Sequence, residues 1–449
     1  MEQGDLNGDG REDILVGSTN MHPTRVFISA EEGFQEVWLE GLTEKKPFSE
    51  SGLAIIDVDQ DGDQDVVALA GGYEATTEDE YRHYLYLNEE GAFRMIPLPV
   101  DPFIASVIRP FDMDHDGDLD LFLGARVAYK SFPFSRDSWI LKNENGNYVQ
   151  EDATRLDLGM VTDATWSDYD GDGWEDLLVS REYNSLKFLK NLEGSKLAMQ
   201  ELPEIDHKHG IWYSVTAGDF DQDGDEDYLA GNLGNNHRFT VSDTFPLRIY
   251  AFDLDRNGSI DPISTGYWRD QHDVMKEFPV NYFDELVGQS SYFASRFKSY
   301  VTFGHTTFEE MLTDEMKQRI DHIFHVNTTS SHNMWNEVGT YRWEEHPIEA
   351  QLSVVSETLV EDFNSDGLTD VLLAGNDHSY VLGTGYFYAI KGLLLVSKDG
   401  QALKQVGTSS ESGLVLHGMV ESLLYLKGEE PVIVAGMNRD SVRVYQVNK

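Results

Sequence analysis

Cysteine is absent from all 449 residues. That excludes disulfides, thiolate metal sites and a cysteine nucleophile. It does not fix the compartment, because many exported bacterial proteins also lack cysteine. Basic residues are scarce: 34 Lys and Arg stand against 80 Asp and Glu, for a formal net charge of −46. So acidic a chain is repelled by nucleic acid and by an anionic membrane surface. No apolar run reaches the roughly 18 residues of a membrane-spanning helix, so no direct membrane insertion is expected. No signal peptide is visible. Catalytic signatures are missing as well. There is no phosphate loop, dinucleotide fingerprint, G-x-S-x-G elbow or H-E-x-x-H helix. The expectation is a protein that is not an enzyme.

What the chain does have is one acidic pattern, seven times over. The clearest copy is Asp57-Val58-Asp59-Gln60-Asp61-Gly62-Asp63-Gln64-Asp65, followed at once by the apolar run Val66-Val67-Ala68-Leu69-Ala70. Oxygen side chains at positions 1, 3, 5 and 9, with glycine at position 6, are how a loop wraps a hard cation. The copies begin at Asp5, Asp57, Asp112, Asp168, Asp219, Asp253 and Asp362. Their expected ligands are Asp5, Asn7, Asp9 and Asp13; Asp57, Asp59, Asp61 and Asp65; Asp112, Asp114, Asp116 and Asp120; Asp168, Asp170, Asp172 and Asp176; Asp219, Asp221, Asp223 and Asp227; Asp253, Asp255, Asn257 and Asp261; and Asp362, Asn364, Asp366 and Asp370. The carbonyl at position 7 would complete each set. Up to about seven Ca²⁺ ions are expected, and they would bring the charge from −46 to −32. The rival reading, solvated Asp-Gly turns that bind nothing, weighs most at the loops of Asp253 and Asp362.

These loops are not EF-hands, which carry a ligating Glu at position 12 between two helices. Position 12 here is Val16, Ala68, Leu123, Val179, Ala230, Ser264 or Leu373. Each loop instead feeds a β-strand, and Asp at position 9 takes the place of the distant Glu.

Successive loops start 52, 55, 56, 51, 34 and 109 residues apart. A spacing near fifty suits one four-stranded blade of a β-propeller. Between loops, runs such as Tyr84-Leu85-Tyr86-Leu87 turn through Asn88-Glu89-Glu90-Gly91, as hairpins do. The expected fold is all-β, one domain over 1–449: a seven-bladed propeller with calcium-binding loops, or eight-bladed if the Asp253 loop starts its own blade. The last blade, Val420 to Lys449, has strands but no acidic loop. An irregular, partly helical insertion is expected at about 265–350, with Thr307-Phe308-Glu309-Glu310 as a capping box. Only Met1-Glu2-Gln3-Gly4 precedes the first loop. The strand leading into it is expected to be missing, as in a fragment or a domain cut from a longer precursor.

The repeat D-x-[DN]-x-[DN]-G-x-x-D before an apolar strand resembles the FG-GAP/VCBS repeats, which also form the propeller of integrin α-chains. Gly210-Ile211-Trp212-Tyr213-Ser214, Asp227-Tyr228-Leu229-Ala230-Gly231-Asn232-Leu233-Gly234-Asn235-Asn236, Asn257-Gly258-Ser259-Ile260-Asp261-Pro262, Pro347-Ile348-Glu349-Ala350-Gln351-Leu352-Ser353 and Leu373-Ala374-Gly375-Asn376-Asp377 resemble bacterial relatives of cartilage acidic protein, of the ASPIC/UnbV type. The resemblance implies export, a secreted or outer-membrane surface location and calcium-dependent folding, but no single activity. Its implied partners are an extracellular protein or polysaccharide, or an outer-membrane protein complex. Three features depart from the family: no signal peptide, no ASPIC/UnbV module at the end, and Arg181-Glu182-Tyr183-Asn184 where a Trp-Pro pair is usual.

Two further groups bear on function. His207, His209, His322, His325 and His332 have spacings open to zinc, against which stands the plainer role of surface or capping residues. Trp212, Tyr213, Trp268, Trp335, Trp343, Tyr386 and Tyr388 either pack between blades or form a platform for a sugar or peptide at the propeller face. The alternative function is a polysaccharide-active lyase or hydrolase, or a lectin, on the same scaffold.

Overall fold

Apolar runs behind the acidic loops become strands buried along their whole length: Asp65–Gly71, Asp120–Ala125, Asp227–Gly231 and Asp370–Gly375. Neither face of such a strand meets water, so sheets must pack against both. The computed structural model, which describes every residue except 32, 150–154, 338, 379–384, 399–400, 408, 429 and 448–449, shows how.

Among the described residues the strands form eight sheets. The first runs Glu2–Gly4, Asp13–Val16, Arg25–Ser29 and Phe34–Val37; the second runs Ser49–Ile56, Asp65–Gly71, Tyr84–Glu89 and Ala92–Pro97. Each is an antiparallel meander, and each cation loop joins its first strand to its second. The same plan recurs in sheets that start at Ala105–Phe111, Val161–Ser167, Ser214–Gly218 and Val355–Glu361, and, without a cation loop, in the sheet that starts at Val420–Leu426. First strands touch in that succession. The last sheet meets the first, where Leu426 and Val434 pack with Ile14, Met1 and Val16. The result is a β-propeller whose first strands line a central channel. The last sheet shows three strands among the described residues: Val420–Leu426, Val432–Met437 and Arg443–Gln446.

Two expectations are corrected here. The strand leading into the first loop is present: Glu2–Gly4 pairs with Asp13–Val16, in a register that sets Gly4 opposite Asp13. The excursion is also displaced from 265–350. It leaves after Asp227–Gly231 and re-enters at His332–Asn336, which pairs directly with Asp227–Gly231 and with Tyr341–Glu345. The run from His332 to Glu345 is therefore the outer half of the fifth blade. Sequence spacing missed this because a blade interrupted between its second and third strands shows no periodic mark at the point of re-entry.

The excursion builds its own sheet, in the order Met275–Pro279, Ile263–Arg269, Leu247–Ala251 and His322–Val326. The Asp253 loop belongs to this sheet, not to the ring. Five short helices between Phe283 and Lys317 cover it. Phe252, Leu286, Phe293, Phe303, Phe308 and Met311 form the core beneath them. Thr307 and Glu310 make the expected capping box.

Burial between blades is the main stabilising term. A side chain such as Leu69 or Leu121, fully buried at a blade interface, contributes about 1.5–3 kcal/mol over its exposed state.

Candidate metal centres

All seven acidic loops share one backbone conformation. Position 4 is left-handed in each: Gly8, Gln60, His115, Gly171, Gln222, Arg256 and Ser365, with φ between 58° and 71°. The glycine at position 6 is left-handed too, from Gly10 at 82° to Gly62 at 98°. Two left-handed residues flanking position 5 curl the loop so that positions 1, 3 and 5 face inward. Position 2 points the other way and plugs the core: Leu6, Val58, Met113, Phe220 and Leu254 are buried there.

Five loops bring three carboxylates within metal-ligating reach of one another: Asp57, Asp59 and Asp61; Asp112, Asp114 and Asp116; Asp168, Asp170 and Asp176; Asp219, Asp221 and Asp227; and Asp253, Asp255 and Asp261. The loops of Asp5 and Asp362, each with one Asn among its ligands, form no such group among the described residues. Their turns are nonetheless closed in the same way. Asp5 Oδ2 accepts from Gly10 N at 2.7 Å and Asp362 Oδ2 from Gly367 N at 2.8 Å, as Asp112 Oδ2 does from Gly117 N at 3.0 Å.

Position 9 does more than face an ion. Asp65 accepts from Val58 N at 2.9 Å and from Asn88 N at 2.7 Å, so its carboxylate ties the loop to the end of the third strand. Asp120 makes the same pair of bonds with Met113 and Asn143, and Asp227 with Phe220 and Asn336. Burial pushes these carboxyls up, against the pull of those N–H donors and with help from the loop's other carboxylates. Asp65, Asp120 and Asp370 rise to about 6, and Asp176 and Asp227 to about 7. A bound dication would hold them ionised.

Buried oxygens without a donor test whether an ion fits. Asp57 Oδ1, Asp114 Oδ1, Asp176 Oδ2, Asp219 Oδ1 and Asp370 Oδ2 are all buried and accept no hydrogen bond. Leaving such an acceptor unsatisfied costs about 1–3 kcal/mol or more. Five loops therefore each carry an oxygen that a cation would satisfy. Two loops also hold an ammonium: Lys142 Nζ lies 2.8 Å from Asp114 Oδ2, and Lys190 pairs with Asp170 and Asp172.

Sequence reading missed the residues that join the loops to one another. Asn143 at the end of a third strand donates from Nδ2 to Val58 O at 2.8 Å, in the preceding blade's loop. Asn191 reaches Met113 O at 2.9 Å in the same manner. Their Oδ1 atoms close the hairpin by accepting from Gly146 N and Gly194 N. The recurrence N-x-x-G at Asn88, Asn143, Asn191 and Asn336 was the available signal. Position 4 adds a second tie. Gln60 donates to Gly117 O at 2.9 Å, and His115 stacks on Trp174 at 4.3 Å.

The histidines do not assemble a comparable centre. His209 and His325 stack at 4.0 Å, and His332 is buried beside Trp343. Among the described residues, none joins a group of three close ligand atoms. Of the aromatics, Trp212 and Trp335 are buried in blade interfaces, Tyr386 and Tyr388 are exposed beside His378, and Tyr213 and Trp268 reach the channel mouth or its rim.

Fold and loops together define a β-propeller whose blades carry acidic, cation-type turns. Comparison with known proteins agrees. The FG-GAP-like repeat family matches residues 5–68, 57–123 and 168–230, and these repeats lie in successive blades of the β-propeller. It is similar to cartilage acidic protein 1 of Mus musculus and of Homo sapiens, 27% identical over 158 residues in each case. That stretch is 32% of this chain and 23% or 22% of those proteins, so the chain spans under a quarter of the relatives' length. Among solved structures, the V. cholerae biofilm matrix protein Bap1 matches with a TM-score of 0.43 at 10% identity, covering 100% of this chain and 87% of that one. Saccharomyces cerevisiae Sqt1 matches with a TM-score of 0.44 at 9% identity, covering 97% and 93%. No helix among the described residues is long and apolar enough to cross a membrane.

Proposed function

We propose that this protein is a non-catalytic binding or scaffold module stabilised by calcium, working in a secreted or outer-membrane surface setting. The observation that carries this reading is the set of five buried loop oxygens that lack a donor. A hard, oxygen-seeking dication is the partner they suit, and calcium accepts the flexible six- to eight-oxygen geometry such loops offer. Positions 3 and 5 are largely open to solvent, which suits the weak sites of extracellular modules, with Kd of about 10⁻⁴ to 10⁻³ M. Calcium at that concentration is found outside cells. Its partners would be an extracellular protein or polysaccharide, or the other subunits of an outer-membrane assembly.

The test is thermal melting with and without chelator. Each site at a hundredfold excess over Kd adds about 2.7 kcal/mol. Five sites then give roughly 13 kcal/mol, or about 14 °C for a chain of this length. A melting curve unchanged by excess EGTA would refute the reading.

A second reading, cleavage of polysaccharide, is favoured by one observation. Glu357 lies in the channel, where burial and the nearby Asp163 push its carboxyl well above the usual carboxylate range, as a proton donor requires. Release of reducing ends from a polysaccharide panel would separate the two readings.

A further inference from the structure

The channel and its mouth form one cavity of about 1100 Å³. The mouth lies at the end of the first strands away from the ring's cation loops, where the inserted sheet stands. Register shifts mark this end in the second, third, fourth, sixth and seventh blades, at Gly52, Ala125, Asp163, Glu357 and Ser422. Such bulges re-aim side chains.

Three observations at the mouth point to a ligand. Arg126 gives Nη2 to Glu182 Oε1 at 2.6 Å, yet its Nη1 is buried with no acceptor. Tyr183 holds a left-handed φ of 55°, which a bulky residue rarely adopts, and its ring meets Phe132 edge to face at 6.2 Å. Arg238 lies over Phe239 at 5.4 Å and Trp268 at 5.7 Å, and among the described residues no carboxylate pairs with it.

Charge selects the ligand class. At the rim, Arg126 and Arg238 balance Glu182 and Asp377. Along the rest of the lining, Glu2, Asp163, Glu285, Glu357 and Glu421 outnumber Arg109 and Arg248. The throat repels a polyanion, and the rim, its two guanidiniums matched by two carboxylates, offers a polycation no net attraction. What remains is a neutral ligand with many oxygens and an apolar face.

We propose that this mouth binds a neutral saccharide, its ring stacked on Tyr183 and Phe132 and a hydroxyl oxygen accepting from Arg126 Nη1. This rests on the binding-module reading and names its site and ligand class.

The test is affinity electrophoresis of the calcium-loaded full chain through gels containing mannan, xylan, dextran or mixed-linkage β-glucan, with polygalacturonate and oligolysine as counter-probes. At least one neutral glycan should retard the protein. Tyr183→Gly should weaken that binding at least tenfold while leaving Tm unchanged or raised, because glycine takes this φ freely. Arg126→Lys, which keeps a charge for Glu182 but loses the guanidinium fork, should also weaken it. The proposal is overturned if no neutral glycan retards the protein, if only polygalacturonate or oligolysine binds, or if Tyr183→Gly binds as tightly as the parent. EGTA-dependent melting is measured separately. A negative glycan result beside calcium-dependent melting would remove the saccharide site and leave the calcium-stabilised module standing.

Discussion

Replacing Asn143 with alanine probes the joint between two blades. Its side chain makes two hydrogen bonds, a buried one from Nδ2 to Val58 O and a partly buried one to Oδ1 from Gly146 N, both at 2.8 Å. The residue is 2% exposed and Val58 is fully buried, so water cannot replace the lost amide at that carbonyl. Two net hydrogen bonds are worth about 1 kcal/mol each, and an orphaned buried acceptor adds about 1–3 kcal/mol. The expected loss is about 3–5 kcal/mol. For 449 residues, unfolding entropy near 2.1 cal/mol/K per residue turns this into a Tm shift of only about 3–5 °C. The denaturant midpoint is therefore the more discriminating assay. Urea titration at saturating calcium should show a lower midpoint at constant m. Asn88→Ala provides the control, because Asn88 Nδ2 reaches Gln64 O within its own blade's loop at 3.1 Å. A loss below about 0.5 kcal/mol for Asn143→Ala would show that the inter-blade bond adds nothing.

Other outcomes follow from the same loops. In EGTA, stability should fall as pH rises. Position-9 carboxyls are raised to about 6 or 7 in the fold, against about 3.9 unfolded. Between those values the folded loops hold protons that the unfolded chain has released, and each such proton is lost on unfolding. Tm in EGTA should therefore be higher at pH 5 than at pH 7.5. Saturating calcium should reverse the slope, since the ion competes with those protons; a flat or rising Tm in EGTA would contradict this. Gly194→Ala should destabilise by about 1–3 kcal/mol, read from the urea midpoint. The glycine has φ of 72°, and a Cβ there would lie 2.6 Å from the Asp114 Cα of the preceding blade's loop. A midpoint equal to the parent's would place no such contact there.

The repeating part of the fold was legible because its chemistry is local. Seven loops with a fixed glycine, each followed by an apolar strand, specify a turn and its strand within fifteen residues. What the sequence hid was pairing at a distance. His332–Asn336 returns to Asp227–Gly231 across a hundred residues of other structure, and hydrophobic periodicity carries no record of which strand is the neighbour. Glu2–Gly4 was overlooked because three residues are too few to show alternation. Position 9 was read as a ligand alone, since its second role needs the N–H of Asn88 or Asn143, and those bonds exist only after the hairpin has folded back. The channel mouth was hardest to see. Arg126, Glu182 and Tyr213 are scattered in sequence and meet only because the strands that carry or adjoin them end at the same mouth. Tyr213 stood out beforehand for its aromatic ring, and Glu182 only as part of Arg181-Glu182-Tyr183-Asn184.

The ring's cation loops and the inserted sheet leave the propeller from opposite ends of its strands. First strands such as Val161–Ser167 and Val355–Glu361 run seven residues, or roughly 23 Å. One end holds the turns that keep the blades assembled, and the other holds the irregular segments. A lineage carrying this fold can therefore lengthen, shorten or rewrite the insertion without disturbing a single aspartate in the ring. It can lose an ion site without redrawing the opposite mouth. The two ends of the molecule are separately heritable, and a change in what is recognised need not be a change in how the protein stands up.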